Sequence, residues 1–202
     1  SPIQFFEQLR GKTIVSMAQG AKPECVLSYL LSKNGLTIGE DVTVDWKATA
    51  DEVLSAVVTG DYDFVMLPEP NVSVAMTKNS DYTIAFDLTA EWDAVADGSL
   101  VMGCLVVRKA FADEHADAVA KFLEEYAASI DFITTDETAA SVIAAQEIVL
   151  AEPIAQKALP NCHIVCITGA DMQSVIEPYY QVLFDANPQA VGGSVPDAAF
   201  YY

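Results

Sequence analysis

Residues 12–35, KTIVSMAQGAKPECVLSYLLSKNG, are the stretch that decides the fold. The stretch begins with a short β-branched run at residues 12–17, which is typical of a strand. In residues 22–34 the apolar side chains recur at helical spacing, Pro23 suits the first turn of a helix, and Gly35 suits the position after its last turn. The stretch therefore predicts a strand, a glycine-containing loop and a helix.

The alternation of strands and helices continues beyond this stretch. Residues 42–46 alternate as a half-buried strand does, and residues 51–59 are typical of an amphipathic helix. Residues 63–67 are a continuous apolar run, which indicates a strand covered on both faces. Because short connections between strands and helices favour parallel strands, we predict an α/β fold with a mostly parallel sheet flanked by helices. Further elements are predicted as a helix at residues 71–78 and strands at residues 83–88 and 100–108.

The second part of the chain is mainly helical. Residues 113–133 carry apolar side chains along one face of a long helix, and residues 162–167 are typical of a strand. The other predicted helices are residues 135–146, 151–159 and 172–186. We therefore expect two domains: residues 1–133 as an α/β lobe, and residues 134–202 as a mainly helical carboxyl-terminal segment.

Composition excludes several classes of function. The chain has 202 residues, of which 52% are hydrophobic and 19% charged, so it can bury a core and is neither disordered nor fibrous. Its 29 acidic and 10 basic residues give a net charge of −19, which repels the phosphates of nucleic acids and anionic membrane surfaces. No nucleic-acid partner is expected. No stretch of the sequence approaches the roughly 18 apolar residues that a membrane-spanning helix needs.

Motifs for catalysis and metal binding are scarce. His115 lies in an acidic helix start typical of solvated surface, His163 lies in a different element, and the sequence contains no HExxH, CxxC, GxSxG or P-loop motif. On a strand, Cys162 and Cys166 would lie about 13 Å apart, which is too far for a disulfide, so we interpret them as buried thiols. We expect no catalytic residue, no metal site and no cofactor.

The first candidate binding loop contains Gln19, Gly20, Ala21 and Lys22, between the end of a strand and the start of a helix. The first N–H groups of a helix are unpaired and lie at the positive end of its dipole, so they suit a carboxylate, a sulfonate or another anion. Ligands of open α/β sheets bind outside the carboxyl ends of the strands. The alternative is an ordinary loop, since every strand–helix unit has one.

Two more candidate loops follow the next strands. Glu69 and Pro70 come after a buried strand, where the carboxylate can accept hydrogen bonds from a ligand or can simply be a favourable charge at a helix start. Trp46 can stack on a ligand or cover the core. Lys22 and Lys47 near the same edge favour an anionic or zwitterionic solute, and Glu69 weakens that preference. The convergence of three loops on one sheet edge is the stronger argument for a site.

The order of these motifs resembles a known family. The stretches LRGKTIVSMAQGAKPECVLSYLLSKNGL, DVTVDWKATADEVLSAVVTGDYDFVMLPEP and VRKAFADEHADAVAKFLEEYAASIDFI resemble the nitrate/sulfonate/taurine-type solute-binding proteins of ABC transporters. These are type 2 periplasmic binding proteins, also called NMT1/SsuA/THI5-like, and the resemblance covers nearly the whole chain. The Gln19-Gly20-Ala21 turn and the Pro68-Glu69-Pro70 turn match places where the family's second lobe faces the ligand.

The resemblance implies a binding protein, not an enzyme. Members capture a small polar solute between two α/β lobes and deliver it to an ABC permease in the membrane. Full-length members carry an amino-terminal signal or a lipid anchor, so the resemblance implies an extracytoplasmic location, either periplasmic or as a cell-surface lipoprotein.

The chain departs from the family in one respect, because typical members have many more residues before LRGKT, and these form most of the first lobe. We therefore expect this chain to lack most of the first lobe and to represent the second lobe with a returning segment. The missing wall of the crevice would come from that first lobe or from a second copy of the chain. The isolated chain should then expose a contiguous apolar patch that its partner covers.

Two alternatives remain open. The first is an enzyme of the THI5-like pyrimidine-synthesis type, although such enzymes use a Cys-rich motif and an active-site His that are not visible here. The second is a stand-alone ligand-sensing domain of a regulator, although such domains accompany a helix-turn-helix that is not visible here either. The coding region upstream of the chain would discriminate between these alternatives and the transporter protein.

Overall fold

The computed structural model describes residues 3–60, 62–149 and 151–202, and these fall into two compact units. The sheet unit comprises the described residues up to Leu100 together with Thr168–Tyr202. The helical unit is Val101–Ile167. The domain boundary expected at residue 133 concerns the lobes of the resembled family and stays a prediction.

The sheet unit contains a parallel sheet, as predicted, and this sheet has three strands. Strands β1 (Thr13–Met17), β2 (Thr43–Lys47) and β3 (Phe64–Val65) lie in the order β2-β1-β3, with both neighbours parallel to β1. Each strand is followed by a helix, in turn α1 (Lys22–Lys33), α2 (Ala50–Thr59) and α3 (Asn71–Lys78). The α/β class and the parallel sheet flanked by helices are therefore confirmed, although β3 is shorter than the predicted strand.

The local sequence explains where helices α1 and α2 begin and end. In α1 the second residue is Pro23, and the predicted apolar face is buried, namely Val26, Leu27, Leu30 and Leu31. In α2 the Thr49 hydroxyl accepts a hydrogen bond from the Glu52 N–H at 3.3 Å, and Gly60 ends the helix with a φ of 74°. Only glycine adopts that left-handed conformation without a steric penalty, so Gly60 is a specific stop signal.

Within the sheet unit, an aromatic cluster connects the amino-terminal part of the chain with the carboxyl-terminal part. Trp92 of α4 (Leu88–Asp93) is fully buried, with its ring centroid 4.7 Å from that of Tyr29 and 5.5 Å from that of Tyr179. Tyr179 belongs to α9 (Gly169–Ala186), so the last long helix packs on the amino-terminal half of the chain.

The helical unit contains α5 (Lys109–Glu114), α6 (Ala116–Thr135), α7 (Ala139–Ala145) and α8 (Glu152–Ala158). The single helix predicted at residues 113–133 is wrong, because His115 leaves the helical conformation (φ −132°, ψ 43°) and separates α5 from α6. His115 is exposed, as expected. Thr135 does not begin the next helix: it is the last residue of α6, and its hydroxyl donates to the Asp131 carbonyl at 2.7 Å.

Three predicted strands are absent. Residues 83–88, 100–108 and 162–167 have strand-like sequences, but none of them pairs with the three-stranded sheet. A strand is defined by its neighbours, so local sequence alone cannot form one. Of the helices in the described part of the chain, none combines the length and the apolar content that crossing a membrane requires.

Candidate functional site

The carboxyl ends of the three parallel strands open on one edge of the sheet. Met17 at the end of β1 lies beside Lys47 at the end of β2, and the Ala18 N–H continues the pairing by donating to the Lys47 carbonyl at 3.0 Å. On the other side, the Met66 N–H donates to the Val15 carbonyl at 2.9 Å. The structure therefore places all the predicted binding residues in or beside loops at this edge: Gln19, Gly20, Ala21, Lys22, Trp46, Glu69 and Pro70. Their contact with a ligand stays a prediction.

The loop after β1 is a tight turn. The Ala21 N–H donates to the Ala18 carbonyl at 3.2 Å, and Gly20 has a φ of 79°. Ala18 also adopts a left-handed conformation, with a φ of 58°, which costs an alanine about 1 kcal/mol. The Gly20 N–H donates to Glu24 Oε2 at 2.6 Å, so this carboxylate already occupies an N–H group predicted to receive an anion.

In the loops after β2 and β3, a backbone N–H likewise donates to a glutamate carboxylate. The Ala48 N–H donates to Glu52 Oε2 at 3.0 Å. At α3, the Ser73 N–H donates to Glu69 Oε2 at 3.1 Å, and the Ser73 hydroxyl donates to Glu69 Oε1 at 3.2 Å. Glu69 is thus a helix-start charge in this structure, which is the alternative that the sequence left open for it.

One carboxylate therefore accepts from a backbone N–H at each of the three helix starts. Glu24 and Glu52 were not predicted from the sequence to contribute side chains to this edge. The signal for Glu52 was present, because Thr49 followed three residues later by a glutamate is a capping box. The edge consequently combines N–H donors with three carboxylates, which are Glu24, Glu52 and Glu69, and an incoming anion would have to compete with these carboxylates.

The lysine at the end of β2 is also paired. Lys47 Nζ lies 2.9 Å from Asp45 Oδ2, and the Tyr62 hydroxyl donates to the same carboxylate. The hydrogen bond with Lys47, followed by the one with Tyr62, lowers the pKa of Asp45. The hydrogen bond with Asp45 raises the pKa of Lys47, so the ammonium stays charged. Trp46 is half-buried and lies beside Ser16 of β1, which is fully buried.

The thiol nearest this edge is not activated. Burial, and then the charge of Glu24, raises the pKa of Cys25, which keeps the thiol protonated at neutral pH and makes it a poor nucleophile. None of the four cysteines forms a disulfide, and Cys162 and Cys166 are half-buried rather than buried. Among the described residues, no group of three His, Cys, Asp or Glu side chains is placed to hold a metal ion.

Two depressions of the described residues lie away from this edge. Depressions of about 400 Å³ lie at residues 113–118 of the helical unit and at the amino-terminal edge of the sheet, where Lys12 and Tyr62 are among the lining residues. Neither is lined by the predicted binding loops. Because a small-molecule site normally encloses most of its ligand, a complete site at the carboxyl edge needs a second wall.

Comparison with known proteins agrees with this geometry. A family profile described as "ABC transporter, phosphonate, periplasmic substrate-binding protein" matches residues 1–148. No curated protein sequence gives a significant match.

Three solved structures share the fold of this chain. An ABC transporter protein from Parabacteroides distasonis is 19% identical, with a TM-score of 0.71 over 94% of this chain and 65% of that chain. The periplasmic aliphatic sulphonate-binding protein SsuA from Escherichia coli is 15% identical, with a TM-score of 0.71 over 100% of this chain and 62% of that chain. The alkanesulfonate-binding protein SsuA from Xanthomonas axonopodis pv. citri, bound to MOPS, is 16% identical, with a TM-score of 0.57 over 98% of this chain and 63% of that chain.

The chain therefore spans less than two thirds of the length of each of these three proteins. The matched family and both SsuA proteins are described as binding proteins. The resemblance seen in the sequence is confirmed: the chain belongs to the phosphonate-type periplasmic substrate-binding proteins of ABC transporters.

Proposed function

We propose that this chain is part of the extracytoplasmic solute-binding component of an ABC importer. Its role is to capture a small polar solute at the carboxyl edge of the sheet and to deliver it to a permease in the membrane. The observation that carries the proposal is the convergence of the loops after β1, β2 and β3 on one edge, in a chain of the substrate-binding family. The binding residues are Gln19, Gly20, Ala21, Lys22, Trp46, Glu69 and Pro70.

The charges of this edge favour a solute with both an anionic group and an amine. Relatives described as phosphonate- and sulphonate-binding support an anionic group. The three carboxylates at the helix starts favour a cationic group beside it, because Glu24, Glu52 and Glu69 would repel a purely anionic solute. An amine-bearing phosphonate or sulfonate satisfies both requirements.

The second wall of the site is supplied by polypeptide beyond this chain. We place it in a first lobe of the same protein, with a second copy of the chain as the other possible source. The support is that more than a third of each matched structure lies outside the match. Closure of two lobes around the solute would bury it and create the surface that a permease recognises. The extracytoplasmic location and attachment by a lipid anchor belong to the same proposal.

Calorimetry on the chain joined to the adjoining residues of its reading frame tests the proposal. The probes are 2-aminoethylphosphonate, 2-aminoethanesulfonate, methylphosphonate and ethylamine. We expect an amine-bearing anion to bind most tightly, and solute at a hundred times its Kd to stabilise the protein by about 2.7 kcal/mol. Binding of none of the four probes would contradict the proposal.

A matched pair of variants locates the site. Glu69→Gln removes a carboxylate at the proposed edge, and we expect it to weaken binding of the amine-bearing anion about tenfold, or about 1.4 kcal/mol. Glu40→Gln removes an exposed carboxylate just before β2, near the opposite end of the strands, and should leave affinity unchanged. Equal effects of the two variants would show that solute affinity depends only on the net charge of the protein.

A further inference from the structure

We propose that Asp45 and Tyr62 are positioning residues, which set the specificity of the solute site by holding the Lys47 ammonium away from the solute. The inference rests on the proposed function, since it takes the carboxyl edge of the sheet as the solute site. It adds what becomes of a lysine at that edge that would otherwise attract any anion. The three side chains together are called the lysine tether below.

The Lys47 ammonium is held by two residues. Its Nζ donates to Asp45 Oδ2 at 2.9 Å, and the Tyr62 hydroxyl donates to the same oxygen. The ammonium also lies 5.7 Å from the centroid of the Tyr62 ring, which is within the range of a cation–π contact. Hydrogen bonds with a charged partner are stronger than neutral ones, so these contacts together favour one position of the lysine.

The lysine tether draws the ammonium back from the solute edge. Lys47 is the last residue of β2, whereas Asp45 lies two residues earlier, opposite Val15 in the middle of β1. Because a strand rises about 3.3 Å per residue, the Asp45 backbone lies about 7 Å before that of Lys47. Contact with Asp45 therefore places the ammonium alongside β2 rather than beyond its carboxyl end, where solutes of open α/β sheets bind.

Tyr62 is itself anchored to the core of the sheet unit. It lies two residues before β3, and its carbonyl accepts a hydrogen bond from the Tyr82 hydroxyl. Tyr82 packs against a buried cluster of α2 and α3 that includes Leu54 and Val57. The lysine tether is therefore fixed by contacts within the sheet unit, and these contacts exist without a solute.

A tethered Lys47 favours solutes that carry their own amine. The Asp45 carboxylate offsets the charge of the ammonium, so Lys47 neither attracts a solute anion strongly nor repels a solute amine. A free ammonium at the same edge would do both. The carboxylates of Glu24, Glu52 and Glu69 then act on a solute amine without competition from Lys47. The lysine tether thus discriminates against solutes that have an anionic group alone.

A double-mutant cycle measured by calorimetry tests the inference. The protein is the chain joined to the adjoining residues of its reading frame, and the probes are methylphosphonate and 2-aminoethylphosphonate. Asp45→Asn frees Lys47, so methylphosphonate should bind about fivefold more tightly, which is the effect of one partly exposed ion pair. The gain for 2-aminoethylphosphonate should stay below about twofold, because the free ammonium repels its amine.

The second arm of the cycle removes the lysine. Lys47→Met in the natural sequence should change neither affinity by more than about twofold, since the tethered ammonium does not contact the solute. In the Asp45→Asn protein, the same substitution should abolish the gain for methylphosphonate. Glu40→Gln is the control, because it also removes one negative charge, just before β2, and should leave the ratio of the two affinities unchanged.

Three results of the cycle would overturn the inference. The first is an Asp45→Asn protein with the same two affinities as the natural protein. The second is a gain for methylphosphonate that survives Lys47→Met, since it would not come from the lysine. The third is a clear loss of methylphosphonate affinity for Lys47→Met in the natural sequence, which would show that Lys47 leaves Asp45 to contact the solute.

NMR of the Lys47 ammonium keeps the inference apart from the proposed function. In the solute-free protein, a tethered ammonium exchanges its protons slowly with water and gives a resolved nitrogen–proton signal, assigned by its absence in Lys47→Met. The signal should disappear in Asp45→Asn. A protein that shows the signal but binds neither probe contradicts the proposed function, and the specificity role is then wrong with it. A protein that binds the probes without showing the signal contradicts the inference alone.

Discussion

The sheet unit and the helical unit are built from one chain but differ in how completely they bury their apolar side chains. All the largest fully buried side chains lie in the sheet unit, and these are Val15, Ser16, Leu30, Leu31, Leu36, Val42, Val53, Val57 and Trp92. The helical unit buries mostly alanines. It holds ten of the sixteen exposed large hydrophobic side chains of the described residues, in about a third of the chain.

The difference follows from the pairing of strands. In the sheet unit β1 lies between β2 and β3, so neighbouring strands pair with its backbone, and helices α1 and α2 pack on its side chains. In the helical unit the helices form a small core around Ala140, Ile143 and Ala155, but residues 103–107 and 164–167 pair with none of the described strands. Local sequence therefore suffices for a helix, while a strand also requires a partner.

The largest expected effect compares one leucine from each unit. Leu30→Ala removes a fully buried side chain of α1, and we expect it to lower the free energy of unfolding by about 2–5 kcal/mol. Leu105→Ala removes a side chain that is 58% exposed, so its cost should stay within about 0.5 kcal/mol. Urea denaturation followed by circular dichroism measures both. A cost for Leu105→Ala near that of Leu30→Ala would show that Leu105 is buried in a core of the helical unit. The contrast in burial between the two units would then be wrong.

A smaller effect tests whether the sheet unit depends on its helix caps. Thr49→Ala removes the hydroxyl that accepts from the Glu52 N–H at the start of α2, and should cost about 1 kcal/mol. Thr168→Ala is the matched control, because Thr168 precedes α9 without a side-chain cap. The same denaturation experiment applies. If the control loses as much stability as Thr49→Ala, the hydroxyl contributes nothing specific to the cap.

The elements from β1 to α3 were predictable because their signals are local. Pro23 and Gly35 bracket α1, Thr49 and Gly60 bracket α2, and the parallel sheet followed from the short loops between them. The break at His115 was not predictable, since the residues around it continue the amphipathic pattern of a single helix. The strands expected at residues 83–88, 100–108 and 162–167 failed because pairing is not local.

The candidate site was predictable in position but not in its internal contacts. Gln19 and Glu69 follow parallel strands, and Trp46 lies near the end of one, which is enough to place all three at one edge. Whether a helix-start N–H is open to a ligand depends on which side chain reaches it, and the structure shows that Glu24 and Glu52 do so at two of the three helix starts. The capping-box spacing of Thr49 and Glu52 indicates the contact at α2. The contact of Glu24 depends on side-chain conformation, which neither spacing nor composition reveals.

The smallest expected effect compares one carboxylate from each unit as the pH falls. The pKa of Asp45 is lowered by its hydrogen bonds with Lys47 and Tyr62, and that of Asp136 by its hydrogen bonds with the Thr138 hydroxyl and N–H. A carboxylate with a lowered pKa in the folded state stabilises the protein at neutral pH, and this contribution disappears as the pH falls through the folded-state value. Asp45→Asn and Asp136→Asn should therefore each reduce stability at pH 7, by an amount that shrinks as the pH falls.

Thermal unfolding between pH 2 and 7 measures both losses. We expect a larger one for Asp45, because its hydrogen bond with Tyr62 joins two parts of the sheet unit, whereas the hydrogen bonds of Asp136 lie within one turn. Asp113→Asn is the control for a simple loss of surface charge, because Asp113 forms only an exposed pair with Lys109. If Asp136→Asn produced the greater loss of stability, hydrogen bonds within a local turn would contribute more to stability than hydrogen bonds between elements. The expected order of the two effects would then be wrong.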